Sequence, residues 1–119
     1  MNTQRENENF EYCKRIGEEL EQYINGEITD EETGETLSLY DYFSDVLDVE
    51  YIINSDLSYR AVKVYITLGG PTVWIDTYRN SIELRWANDE SRYFLSSDII
   101  DEIDNIWEDY YNCMRNARD

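Results

Sequence analysis

Residues 59–86 read YRAVKVYITLGGPTVWIDTYRNSIELRW, and their period of two decides the fold. Val62, Val64 and Ile66 alternate with Ala61, Lys63 and Tyr65, which makes 59–67 a strand with one apolar face. Gly69-Gly70-Pro71 marks the connection at 68–72, and a third strand follows at 73–78, with Val73, Ile75 and Thr77 projecting opposite to Trp74, Asp76 and Tyr78. Asn80-Ser81 makes a tight turn into Ile82, Leu84 and Trp86, which share the core-facing side of a fourth strand. Upstream, 49–53 also alternates and is joined to 59–67 by a turn at 54–58. Downstream, after a turn at 88–91, Tyr93 to Leu95 add a short edge strand. Connections this short favour an antiparallel meander.

Helical spacing replaces the period of two on both flanks. Phe10, Cys13, Leu20 and Ile24 share a face, with Ile16 and Tyr23 beside it; Asn7 or Asn9 is placed to cap the start and Asn25-Gly26 supplies the exit. Gly17 weakens this helix unless a neighbour needs the room. The acidic stretch 26–37 is a loop or short exposed hairpin. Ser38, with Asp41 at the third helical position, then starts a short helix with Leu39, Tyr42, Phe43, Val46 and Leu47 on its apolar face. At the other end Ser96 or Ser97 caps a helix of about 18 residues. Its apolar stripe is Ile99, Ile103, Ile106, Tyr110 and Cys113, interleaved with Ile100, Trp107, Tyr111 and Met114. Asp98 and Asp101 suit its positive end, Arg115 and Arg118 its negative end. The expectation is one α+β domain over 1–119: a four-stranded antiparallel sheet with a possible short fifth strand, two N-terminal helices and one C-terminal helix on one face.

Against 27 Asp and Glu stand 10 Lys and Arg and no His, a net charge of -17. The acid is not evenly spread. Residues 1–38 carry 11 acids against 3 bases, 39–58 carry 5 against none, and 98–119 carry 7 against 2, whereas 59–97 carry 4 against 5. On the last helix Asp98/Glu102 and Asp104/Glu108 are like-charged pairs four apart, each costing about 0.2–0.5 kcal/mol. Solubility is one reading of such a surface; a face built to engage a basic groove is the other. Crowding of this kind is expected to raise carboxylate pKa values. The charge opposes direct contact with nucleic acid or anionic lipid, and the apolar runs are too short for a signal peptide or a membrane span, so the cytoplasm is the expected compartment.

Several chemistries find no residues. Without His there is no Ser–His or Cys–His pair and no imidazole ligand. Cys13 and Cys113 are far apart, each within a helical pattern, which predicts buried free thiols rather than a zinc or redox site. A calcium loop starting at Asp30 fails, since Gly34 stands at the fifth position and Glu35 where the turning glycine belongs. Gly69-Gly70-Pro71 lacks the remainder of a phosphate loop. No metal, cofactor or catalytic residue is expected, and the chain reads as a non-enzyme. Asp76, beside Trp74 and Tyr78 and near Glu83, Arg85 and Lys63, leaves a carboxylate enzyme or ligand-binding domain as the alternative. The other reading of that face is cross-strand ion pairs, with aromatics and arginine as anchors for a foreign partner or a homodimer. A structural or antitoxin-like heteromer subunit is the third reading.

The absence of His, the scattered Tyr and the Asp/Glu-rich helices around a small antiparallel sheet resemble the acidic nucleic-acid mimics of phages and mobile elements, the anti-CRISPR and anti-restriction proteins. Residues 69–77, GGPTVWIDT, are similar to a stretch found in small proteins of such elements. The resemblance implies an inhibitor that occupies the nucleic-acid groove of a nuclease, a CRISPR effector or a restriction enzyme. The residues expected to meet such a partner are the acids Asp30, Glu31, Glu32, Asp41, Asp45, Asp48, Asp98, Asp101, Glu102, Asp104, Glu108 and Asp109, with Trp74 and Tyr78 giving specificity.

Overall fold

In the computed structural model, which describes residues 3–117, a single antiparallel sheet of five strands carries three helices on one face. The elements are α1 (Thr3–Ile24), α2 (Leu39–Tyr42) with a 3-10 turn (Phe43–Asp45), β1 (Asp48–Ile53), β2 (Tyr59–Thr67), β3 (Thr72–Asp76), β4 (Ser81–Trp86), β5 (Asp89–Phe94) and α3 (Ser97–Asn116). Strand order in the sheet equals chain order, a plain meander. Val62, Val64, Val73, Ile75, Ile82 and Leu84 form the sheet's half of the core; Cys13, Ile16, Leu20, Ile99, Ile103 and Trp107 form the helices' half. α1 packs on β4 and β5, and α3 on β2. The opposite face of the sheet has no covering layer, and the shortest dimension of the molecule is 25 Å.

Local sequence explains most boundaries. The Ser38 N–H donates to Asp41 Oδ2 at 2.7 Å, the expected capping box, and Ser96 caps α3 by accepting the Ile99 N–H. In 26–37 the bridge between Thr29 and Thr36 and the turn at Gly34 (φ +74°) give the exposed hairpin. Gly17 is required by packing. A Cβ there would lie 2.5 Å from the Tyr93 ring, so this glycine lets α1 settle onto β5.

Several expectations are corrected. α1 begins at Thr3, so Asn7 and Asn9 are inside it: Gln4 hydrogen-bonds Glu8, and Arg5 reaches Asp89, which carries the helix past both candidate caps. The predicted short helix is one α turn and a 3-10 turn, which leaves Leu47 exposed. β3 stops at Asp76, whose carboxylate accepts the N–H groups of Tyr78 and Arg79 and turns the chain there; Ser81 therefore belongs to β4 rather than to the turn. β5 is a full six-residue strand, because Ala87 (φ +54°) closes a tighter hairpin than the one expected at 88–91. Its Asp89-Glu90-Ser91-Arg92 start is polar on both faces and gives no apolar alternation to read. Phe10 and Trp86, placed in the core by period, are both exposed, covered only by an edge contact with Tyr93 and by the Arg5 guanidinium respectively. Tyr110, Cys113 and Met114 are also exposed, and only Tyr111 on that last part of α3 is buried. The side of α3 turned to the sheet shifts there to Tyr111, whose ring packs on Tyr51 and Tyr59 and whose Oη, with Arg115 Nη1, donates to the Leu57 carbonyl. Both cysteines are free; Cys13 is buried, and burial pushes its thiol pKa up to about 11. Arg118 lies outside the described residues.

Candidate functional site

The residues expected to meet a partner divide between two faces. The helical layer presents Asp98, Asp101, Glu102, Glu108 and Asp109 along α3, all exposed, with Asp41 and Asp45 beside them on α2 and the 3-10 turn. Among the described residues none of these carboxylates has a Lys or Arg within ion-pair distance; the four ion pairs are Arg5–Asp89, Arg79–Asp76, Arg85–Glu90 and Arg92–Glu83. Asp104 is half-buried, accepts the Tyr59 hydroxyl at 2.6 Å and, after burial itself, is the main reason that hydroxyl's pKa is raised. Asp41 is partly taken up by its capping box. Glu31 and Glu32 are exposed at the tip of the hairpin, but Asp30 is a structural residue of that turn. Its Oδ1 accepts the N–H groups of Glu32 and Thr33 at 2.8 and 2.9 Å, which holds its pKa below the usual carboxylate range.

Among the acids sit two aromatics that the sequence reading missed as site residues. Tyr40 and Tyr110, each about half exposed, meet edge to face with ring centroids 6.3 Å apart, and Tyr40 lines a shallow depression with Glu102 and Asn105. Tyr110 was hidden by its helical spacing, which matches the core stripe. That Tyr111 rather than Tyr110 turns into the sheet is a property of the tertiary fold.

Trp74 lies on the other face, and Tyr78 in the turn beyond β3, its ring under the Arg60 guanidinium at 4.8 Å. Asp48 stands at the edge of this same open face, opposite Tyr65. Register sets the open face out as rows. Glu50, Lys63, Asp76 and Ser81 form one, then Asp48, Tyr65, Trp74, Glu83 and Arg92, then Thr72, Arg85 and Glu90. Lys63, Tyr65, Trp74, Asp76, Glu83, Arg85, Glu90 and Arg92 of these rows, with Arg79, line a cleft of about 270 Å³. Trp74 stacks on Tyr65 on one side, with the Arg85 guanidinium 5.9 Å from its ring centroid. Asp76 and Glu83 are 1% and 7% exposed although no layer covers them, because the long side chains of the face fold over them.

Both buried carboxylates are engaged in structure. Glu83 takes a two-point contact from Arg92, with Nη2 to Oε1 at 3.0 Å, and the Ser81 hydroxyl besides. Burial opposes its ionisation, yet those bonds outweigh burial and its pKa is lowered. Asp76 holds the β3–β4 turn. A carboxylate kept ionised by a guanidinium is a poor proton donor, so Glu83 is unsuited to the role of general acid. Each of the three displaced carboxylates, Asp30, Asp56 and Glu83, is displaced downward, the reverse of what crowding predicts, because hydrogen bonds close at hand dominate each of them. Among the described residues no group of three or more His, Cys, Asp or Glu is placed to hold a metal ion, and no helix is long and apolar enough to cross a membrane. No protein-family model, curated protein or solved structure matches the chain.

Proposed function

We propose that this chain is an acidic binding protein that occupies the positively charged nucleic-acid groove of a nuclease, a CRISPR effector or a restriction enzyme, through its helical layer. The observation that carries the reading is the partition of charge: the ion-paired bases serve the sheet, α1's own start and the β turns, while the carboxylates of α2 and α3 have none. Charge left unpaired on a folded surface costs stability through repulsion, and a basic groove would recover that cost. Tyr40 and Tyr110 supply the aromatic anchors that such an interface needs, in place of Trp74, which lies on the open face of the sheet. The carboxylates stand where phosphates would stand, so the mechanism is competition. Binding of the purified chain to such nucleases, followed by competition with their DNA or RNA substrates at rising sodium chloride, tests the reading. Salt-sensitive binding that substrate displaces is the expected result. Binding indifferent to substrate, or confined to variants with an intact sheet face, would overturn it.

A further inference from the structure

We infer that the open face of the sheet holds a second site, for a small oxyanion (a phosphate or carboxylate group) centred on Lys63. That face lies opposite the helical layer, and a site on it stands whether or not the helices bind a nuclease. Most acceptors of the cleft are already engaged. Glu50 accepts the Tyr65 hydroxyl, Asp76 accepts two backbone N–H groups, Glu83 accepts Arg92 and Ser81, and Glu90 accepts Arg85 at 3.0 Å. Every carboxylate of the face near Lys63 is thus occupied.

The donors are not. Lys63 pairs in register with Glu50 on one side and Asp76 on the other, yet has no carboxylate oxygen within ion-pair distance, since both neighbours are held elsewhere. Arg79 reaches Asp76 only at 3.9 Å, longer than a hydrogen bond, and Trp74 Nε1 is buried with no acceptor. Lys63, Arg79, Arg85 and Arg92 line the cleft against Asp76, Glu83 and Glu90, leaving it one positive charge in excess on a chain of net charge -17. Unpartnered donors and an excess of positive charge favour an anion, and the planar or tetrahedral oxygens of carboxylate and phosphate suit ammonium and guanidinium donors. A volume of about 270 Å³ admits such a group together with a small molecule that carries it. Asp48 and Glu50 at its rim would repel a polyanion, so the ligand is a small molecule.

Lys14 and Lys63 are the only lysines, which makes the test direct. The protein is reductively methylated with carbon-13 and its two lysine resonances are followed during titration with sodium phosphate, with sodium acetate, and with sodium chloride at matched ionic strength. Saturable movement of Lys63 with phosphate, acetate or both is expected, beyond any drift it shares with Lys14; the effective anion names the group. In nitrogen-15 spectra, Lys63→Met should abolish the saturable response of the Trp74 indole N–H, and Arg79→Gln should weaken it about three- to tenfold. Parallel drift of both lysines with ionic strength alone would overturn the proposal, as would a Trp74 response that survives Lys63→Met. An oligonucleotide that moved Lys63 at lower concentration than phosphate would overturn the restriction to small ligands.

Discussion

On β4 and β5 every carboxylate has a cationic partner: Glu83 has Arg92, Asp89 has Arg5 and Glu90 has Arg85. On α3 six carboxylates from Asp98 to Asp109 have none among the described residues. The two regions belong to one domain and share one core, so the contrast is not a background of acidic composition spread evenly over the surface. Where charge helps the fold it is paired and partly buried. On α3 the acids other than the half-buried Asp104 are exposed and have no cationic partner among the described residues.

The largest effect should come from making α3 resemble the sheet. Glu102→Lys with Glu108→Lys converts Asp98/Glu102 and Asp104/Glu108 into attractive pairs with the acid N-terminal, which should add about 0.5 kcal/mol to stability in a denaturant titration. The same change should weaken binding to a basic target about 100-fold at low salt, measured by calorimetry. Stability and affinity that fell together would mean the carboxylates serve the fold. Next comes the seam between the two layers. Gly17→Ala places a methyl group against the Tyr93 ring, and even after the better helix propensity of alanine it should cost about 1–2 kcal/mol. A neutral or stabilising result would show that the ring can move aside.

Much of this arrangement was legible in the sequence. The alternation in 59–86 gave three of the strands and, Trp86 apart, their core-facing residues, and the stripe from Ile99 to Trp107 gave α3. Illegible were the places where tertiary context overrides period. Tyr110, Cys113 and Met114 continue a core pattern on a stretch of α3 where Tyr111 alone is turned into the sheet. β5 begins with polar residues because it is an edge strand whose outward face is held by ion pairs rather than by apolar contacts. Of the expected contact residues the acids of α3 other than Asp104 are exposed, while Trp74 needed the sheet's pairing to place it on the open face.

Smaller effects sharpen the contrast from the sheet's side. Glu83→Gln keeps the shape but removes the charge that meets Arg92 and should lower stability by about 1 kcal/mol, discounted because Arg92 remains partly in solvent. The sign with pH follows from the lowered pKa of Glu83: its contribution is present above the ordinary value of 4.5 and is lost as pH falls through the lower folded value. Thermal melts below pH 4.5 should therefore separate the parent from Glu83→Gln less than melts at pH 7 do. Smallest is the response of the free protein to salt. Raising sodium chloride from low to moderate concentration should lift the melting temperature slightly by screening the helical acids, and Glu102→Lys with Glu108→Lys should shrink that rise. An unchanged rise would locate the repulsion elsewhere.

The packing of α1 on β4 and β5 has a consequence for the order in which the molecule is made. The meander closes through neighbours in the chain, but the first helix must wait for nearly the last strand. During synthesis its stripe of Cys13, Ile16 and Leu20 emerges long before the surface that will cover it. An isolated helix of this length is marginal in water, and its glutamates keep the waiting segment soluble. Residues of α1 are thus translated before β5 yet secured only once it is made, and a chain halted before β5 would leave them without a home.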